Sequence, residues 1–274
     1  MKLGYTISVS DAPASAPVDP SAALLDALRV LGDLGFDGVE LSIRDPARID
    51  LDAVASRAAS LGIVVPAIAT GQAYTQDGLA LTAPEASSRE GAVARLLAQV
   101  EAAARLQAML TIGVIHGPIP AGERREQAEE RLLAALGRVA QAARRRGVRL
   151  VVEPIQRYST NWLHTAHEVM QLLGRLGEEN VGVLLDTFHM NIEEADPAAA
   201  MRDAAPRLWH FHVAENNRRA PGWGHLDFGA TVAVLRALGY DRFVSAEVSQ
   251  EPTLEAAARQ TLSVMRPLVP RRRG

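Results

Sequence analysis

Glu153, Asp186, His212 and Glu247 carry side chains that bind metals or move protons, and each closes or follows a short apolar run. Their separations of 33, 26 and 35 residues are each close to one strand-plus-helix unit. A carboxylate at the end of a buried strand is costly unless something pairs with it. A single one is commonly a helix cap or an ion-pair partner, but four at successive strand ends argue for ligation. Three converging carboxylates raise one another's pKa unless a cation intervenes. One imidazole with three carboxylates and no thiolate suits a divalent metal, manganese first, with magnesium or cobalt as alternatives and zinc less favoured.

The elements that must position these groups read as alternating strands and helices. Strands are expected over residues 3–8, 38–42, 63–69, 109–115, 148–153, 181–186, 208–213 and 243–248, with amphipathic helices between them. Ser21 is the expected cap of the first helix, and Asp196-Pro197 opens a later one. Eight such units in 274 residues point to the α/β class and a single (β/α)8 TIM barrel over residues 1–270, followed by a basic tail at 271–274. An open doubly wound sheet is the rival, but no Gly-x-Gly-x-x-Gly follows the first strand. In a barrel the active site lies at the C-terminal strand ends. Two further strand-end groups are Glu40, read as a cap or ion-pair partner, and His116, read as a pocket wall beside the Gly117-Pro118 turn. The stretches 10–21 and 70–88 read as long loops that roof the pocket.

Composition narrows the function classes. The net charge is −3 with both signs interspersed, which argues against a nucleic-acid partner. There is no cysteine, so disulfides and thiolate zinc sites are excluded. No signal-peptide pattern opens the sequence and no apolar run reaches the roughly 20 residues of a membrane span, so the expectation is a cytoplasmic protein with no membrane partner.

Three segments carry a specific resemblance: Glu153-Pro154-Ile155-Gln156-Arg157-Tyr158, the run Leu185 to Glu194 around Asp186-Thr187-Phe188-His189, and His210-Phe211-His212-Val213-Ala214-Glu215-Asn216-Asn217-Arg218. They resemble the xylose-isomerase-like barrel superfamily, and within it the ketose 3-epimerases and the 5-keto-gluconate epimerases. The stretches Ala220 to Phe228 and Thr70 to Ala73 fit the same group. The resemblance implies metal ligation by Glu153, Asp186, His212 and Glu247, with Glu153 and Glu247 also acting as acid and base on opposite faces of the sugar. It places His189 and Arg218 on substrate-contacting positions and implies a homodimer or homotetramer. One position departs: Ser159 stands where the ketose 3-epimerases usually carry Glu, which bears on the contacts to the reacting end of the substrate.

The implied activity is epimerisation of a keto sugar or keto-sugar acid at the carbon next to the carbonyl, through a cis-enediolate. The same metal site would also serve an aldose–ketose or hydroxypyruvate isomerase, or an inosose-type dehydratase. A DNA-repair endonuclease of the same superfamily would need more His ligands and a basic face, against seven His and a net negative charge here. A non-catalytic sugar-binding barrel would not require two Glu flanking the metal.

Overall fold

The computed structural model describes residues 1–8 and 20–271. Most of the expected loop at 10–21, and residues 272–274 of the expected tail, lie outside them. Eight parallel strands close into a barrel in sequence order: β1 (Lys2–Ser8), β2 (Gly38–Ser42), β3 (Ala67–Ala69), β4 (Met109–Ile112), β5 (Leu150–Val152), β6 (Val181–Asp186), β7 (Leu208–Val213) and β8 (Phe243–Ala246). The helices are α1 (Pro20–Leu34), α2 (Leu51–Ser60), α3 (Gly71–Thr75), α4 (Ala86–Leu106), α5 (Arg125–Arg145), α6 (Ala166–Leu176), α7 (Thr187–Glu193), α8 (Pro197–Ala204), α9 (Phe228–Ala237) and α10 (Leu254–Leu268). None of those described is long and apolar enough to cross a membrane.

The strands are short and apolar because both of their faces are covered. Every residue of β6 is buried, as parallel strands packed between a barrel interior and a helical layer require. The helices bury one stripe each. In α6, Val169, Leu172 and Leu173 face inward, and Thr165 and Glu168 form a reciprocal capping box at its start. At the N-terminal end of the barrel, Arg266 and Arg271 both reach Asp37, whose carboxylate also accepts the Leu3 amide. The expected basic tail therefore begins with a residue tied to the barrel.

Several boundaries differ from expectation for local reasons. Ser21 lies inside the first turn of α1 rather than capping it, and its hydroxyl accepts the Asp50 amide at 3.0 Å. The run after Ile112 does not extend β4; Val114–His116 winds into a 3-10 turn that Gly117, at φ 85°, terminates. The expected loop at 70–88 contains α3 and the start of α4. Gln72 on α3 donates to Ser8 Oγ at 2.8 Å and to Ser42 Oγ at 3.0 Å, pinning that helix to the ends of β1 and β2.

Strands β6 and β7 pair with a register shift between Val183 and Leu184. Gly182 makes this close approach possible: a Cβ there would lie 2.4 Å from the Trp209 ring and 2.7 Å from the Arg207 carbonyl oxygen. Gly182→Ala is therefore expected to destabilise the protein by about 1–3 kcal/mol through overpacking, read as a lower denaturation midpoint at unchanged slope. A variant as stable as the parent would show that the β6–β7 approach can yield.

Candidate active site

Residues 153, 186, 212 and 247 reach one point at the C-terminal mouth of the barrel. Each offers a ligand atom, and these atoms lie within 4.8 Å of one another. Glu153 follows β5, Asp186 ends β6, His212 lies in β7 and Glu247 follows β8. The two Glu are thus the outermost of the four around the rim, with Asp186 and His212 between them. His212 Nδ1 is the hub: it sits 3.3 Å from Glu247 Oε2, 3.9 Å from Asp186 Oδ2 and 3.9 Å from Glu153 Oε1. Neither His212 Nδ1 nor Glu153 Oε1 has a hydrogen-bond partner, although both are buried. Two buried polar atoms without hydrogen-bond partners, close to one another among three carboxylates, fit a divalent cation.

Asp186 does two jobs. Its Oδ1 accepts the Phe188 amide at 2.8 Å and caps α7, while Oδ2 faces the site. The cap turns the chain directly from strand into helix, and Thr187 fixes the turn by bonding both ways with Ala214 beyond β7 (2.7 and 2.9 Å). That turn carries His189 inward. The His189 Nδ1 accepts the Gln156 amide at 3.3 Å, so in the neutral ring Nε2 carries the proton, 3.8 Å from Glu153 Oε1.

Arg218 enters from the loop after β7. Its guanidinium pairs with Asp186 Oδ2 and Glu247 Oε2 and lies 4.9 Å over the Phe188 ring. Beneath the site Glu40, expected as a cap or ion-pair partner, pairs with His210 Nε2 at 2.5 Å and His212 Nε2 at 3.0 Å. Strands β2 and β7 are not neighbours in the sheet, so this contact crosses the barrel interior. It holds the His212 ring with Nε2 bonded below and Nδ1 directed upward, the arrangement by which an outer carboxylate orients a ligating imidazole. The alternation His210-Phe211-His212 was the available signal: residues two apart share a strand face, and two inward imidazoles call for an acid.

The electrostatics follow from burial and charge. Burial pushes the Glu153 carboxyl well above the usual carboxylate range, and neighbouring Glu247 adds to this. Glu247 meets the same burial cost, but Arg218 and His212 outweigh it and hold its carboxyl low. For His212 burial opposes the charged form, yet Glu40 and Glu247 hold its pKa well above the ordinary value. Burial lowers His189 to about 4.

A cavity of about 260 Å³ opens above these groups. Glu153, Gln156, Ser159, Phe188, His189 and Arg218 are among its lining residues. Ser159 Oγ accepts from Gln156 Nε2 at 2.7 Å, so the rim there is a neutral hydrogen-bonding pair. His116, expected as a pocket wall, is not among the lining residues. It is fully buried, bonds through Nδ1 to the Gly117 carbonyl at 2.7 Å, and meets the Trp162 ring edge-on at 6.0 Å.

Residues 28–268 match the family described as xylose isomerase-like TIM barrel. The chain belongs to that family. It is 37% identical over 212 residues to the L-ribulose 3-epimerase of Mesorhizobium japonicum, covering 76% of this chain and 69% of that protein. It is 33% identical over 219 residues to the ketose 3-epimerase of Arthrobacter globiformis, covering 76% and 72%. A solved structure of an L-ribulose 3-epimerase superposes with a TM-score of 0.83 at 27% identity, covering 100% of this chain and 99% of that one. The family member described here thus has relatives named as carbohydrate epimerases, which are isomerases.

One consequence is measurable without substrate. Burial lowers His116 to about 4, so the folded state keeps it neutral where the unfolded chain, with an ordinary value near 6.5, takes up a proton. Between those values the unfolded state binds more protons, and stability falls as pH drops from about 6.5 to 4. The loss from this group is on the order of 3 kcal/mol. Denaturation of the parent and of His116→Asn across that range should show a shallower acid loss in the variant. Equal slopes would contradict the assignment.

Proposed function

We propose that this chain is a divalent-metal-dependent epimerase that inverts the carbon next to the carbonyl of a keto sugar or keto-sugar acid. The observation that carries the reading is the gathering of Glu153, Asp186, His212 and Glu247 at one point of the barrel mouth, with the two Glu outermost. The names of the relatives agree in chemistry: in a 2-ketose such as ribulose, C3 is the carbon beside the carbonyl.

In this reading Glu153, Asp186, His212 and Glu247 hold the ion, manganese first, with magnesium or cobalt as alternatives. When bound, the ion supplies a Lewis acid for the carbonyl oxygen and the neighbouring hydroxyl oxygen. One of Glu153 and Glu247 removes the proton from the carbon that bears that hydroxyl, leaving a cis-enediolate. The other returns a proton from the opposite side, which inverts the centre. Their places after β5 and β8, at the two ends of the ligand arc, suit attack from two sides. Arg218 and His189 donate to the oxygen on which negative charge grows. Phe188 supplies an apolar wall that limits water, and Gln156 with Ser159 offers neutral hydrogen-bonding partners to sugar hydroxyls. A dimer or tetramer is the assembly the resemblance implies.

A panel of keto sugars and keto-sugar acids, supplied with manganese in deuterated solvent, tests the scheme. Each epimerised product should carry deuterium at the inverted carbon. Glu153→Gln and Glu247→Gln should each lower turnover by about 10²–10⁴-fold, the usual worth of a positioned acid or base, with unchanged circular dichroism. Epimerisation without deuterium uptake, or full activity after either substitution, would falsify the proton-transfer assignment.

A further inference from the structure

We propose that Glu215 is the positioning residue that aims Arg218 into the site. The inference rests on the reading of Arg218 as a substrate-facing group. Arg218 is one of three described non-glycine residues with positive φ, at 62°. An L-residue keeps that conformation only where its surroundings over-determine it. The surroundings trace to Glu215. Its carbonyl accepts the Arg218 amide at 2.9 Å, and its own amide donates to the Arg219 carbonyl at 3.0 Å, closing a tight turn around residue 218. On the other side the Ser249 amide donates to the Arg218 carbonyl at 2.8 Å.

The Glu215 side chain extends this hold over the rest of the loop. It is 1% exposed. Its Oε1 accepts the Gly222 amide at 2.8 Å and its Oε2 accepts the Leu226 amide at 3.0 Å. The loop is wrapped closely about the carboxylate: a Cβ at Gly224 would lie 2.3 Å from Glu215 Oε2 and equally close to Asn216 Oδ1. A buried carboxylate is expensive, and here its two oxygens serve backbone amides of its own loop. An amide side chain could not replace it, because its NH₂ group would face an N–H donor. Asn217 reinforces the same fold, accepting from the Arg219 amide at 3.0 Å and donating to the Trp223 carbonyl at 2.9 Å. What leaves this assembly toward the cavity is the Arg218 side chain, which spans Asp186, Glu247 and the Phe188 ring.

The test is a double-mutant cycle on the metal-supplemented full chain, joined to crystallography. Glu215→Gln should lower kcat/KM on the best keto sugar of the panel by about 10²-fold, the scale of a misplaced group. In an Arg218→Ala background the same change should cost no more than about twofold, because a residue that acts only through Arg218 has nothing left to aim. Gly224→Ala, which presses a methyl group onto the same carboxylate, should give the same pattern. Independently of turnover, crystals of Glu215→Gln should show the guanidinium withdrawn from Asp186 and Glu247. An equal loss in both backgrounds, no loss in either, or a guanidinium left in place overturns the inference. So does failure of both variants to fold, which would make Glu215 a folding residue. If the parent turns over nothing in the panel, the proposed function fails, while the crystallographic arm still decides the role of Glu215.

Discussion

The structure is organised around an electrostatic constraint: three carboxylates brought together at the mouth of a closed barrel, in a place mostly shut off from water. Side by side, Glu153, Asp186 and Glu247 cannot all stay ionised without positive charge nearby. The fold answers with graded compensation. Arg218 bridges two of them. His212 faces all three and is itself held from below by Glu40. Burial, with neighbouring Glu247 adding to it, pushes the Glu153 carboxyl upward. An arrangement of this kind, acid-rich and with an orphaned imidazole nitrogen at its centre, suits a divalent ion.

The rest of the fold can be understood as what keeps that charge cluster in register. Parallel strands fix the heights of the four groups, and the contact of Glu40 with His210 and His212 stitches opposite walls of the barrel together beneath them. Features that stabilise the scaffold also serve the site. The Asp186 carboxylate caps α7 with one oxygen and faces the cluster with the other. The Thr187 hydroxyl ties the start of α7 to the chain beyond β7. Stability and function here share atoms, so substitutions at these positions would affect both.

Much of this was legible in the sequence, and the parts that were not share a cause. The apolar runs at 38–42, 181–186 and 208–213 have sharp ends, and the strands fall on those bounds. The run at 63–69 reads as one strand, yet only Ala67–Ala69 pairs fully. Pro66 has no N–H to give to a ladder, and Val64 makes only an isolated bridge with Gly38. Helix α7 hid because it is short and follows β6 without a loop, its start set by a side-chain cap rather than by a periodic pattern. Glu153, Asp186, His212 and Glu247 could be found because each sits at a strand end, a position the barrel's periodicity fixes. Glu40 was visible as a strand-end acid suited to a cap or an ion pair, but its partners lie 170 and 172 residues away, a pairing that no local pattern encodes. The hold of Glu215 on the loop that carries Arg218 depends on backbone geometry and was equally out of reach.

Anomalous diffraction from crystals soaked in manganese tests the central claim most directly. The account predicts one strong peak at the barrel mouth, at bonding distance of roughly 2 Å from His212 Nδ1 and from oxygens of Glu153, Asp186 and Glu247. A peak held by Glu40 and His210 instead, or no peak within reach of the four at saturating manganese, would contradict it.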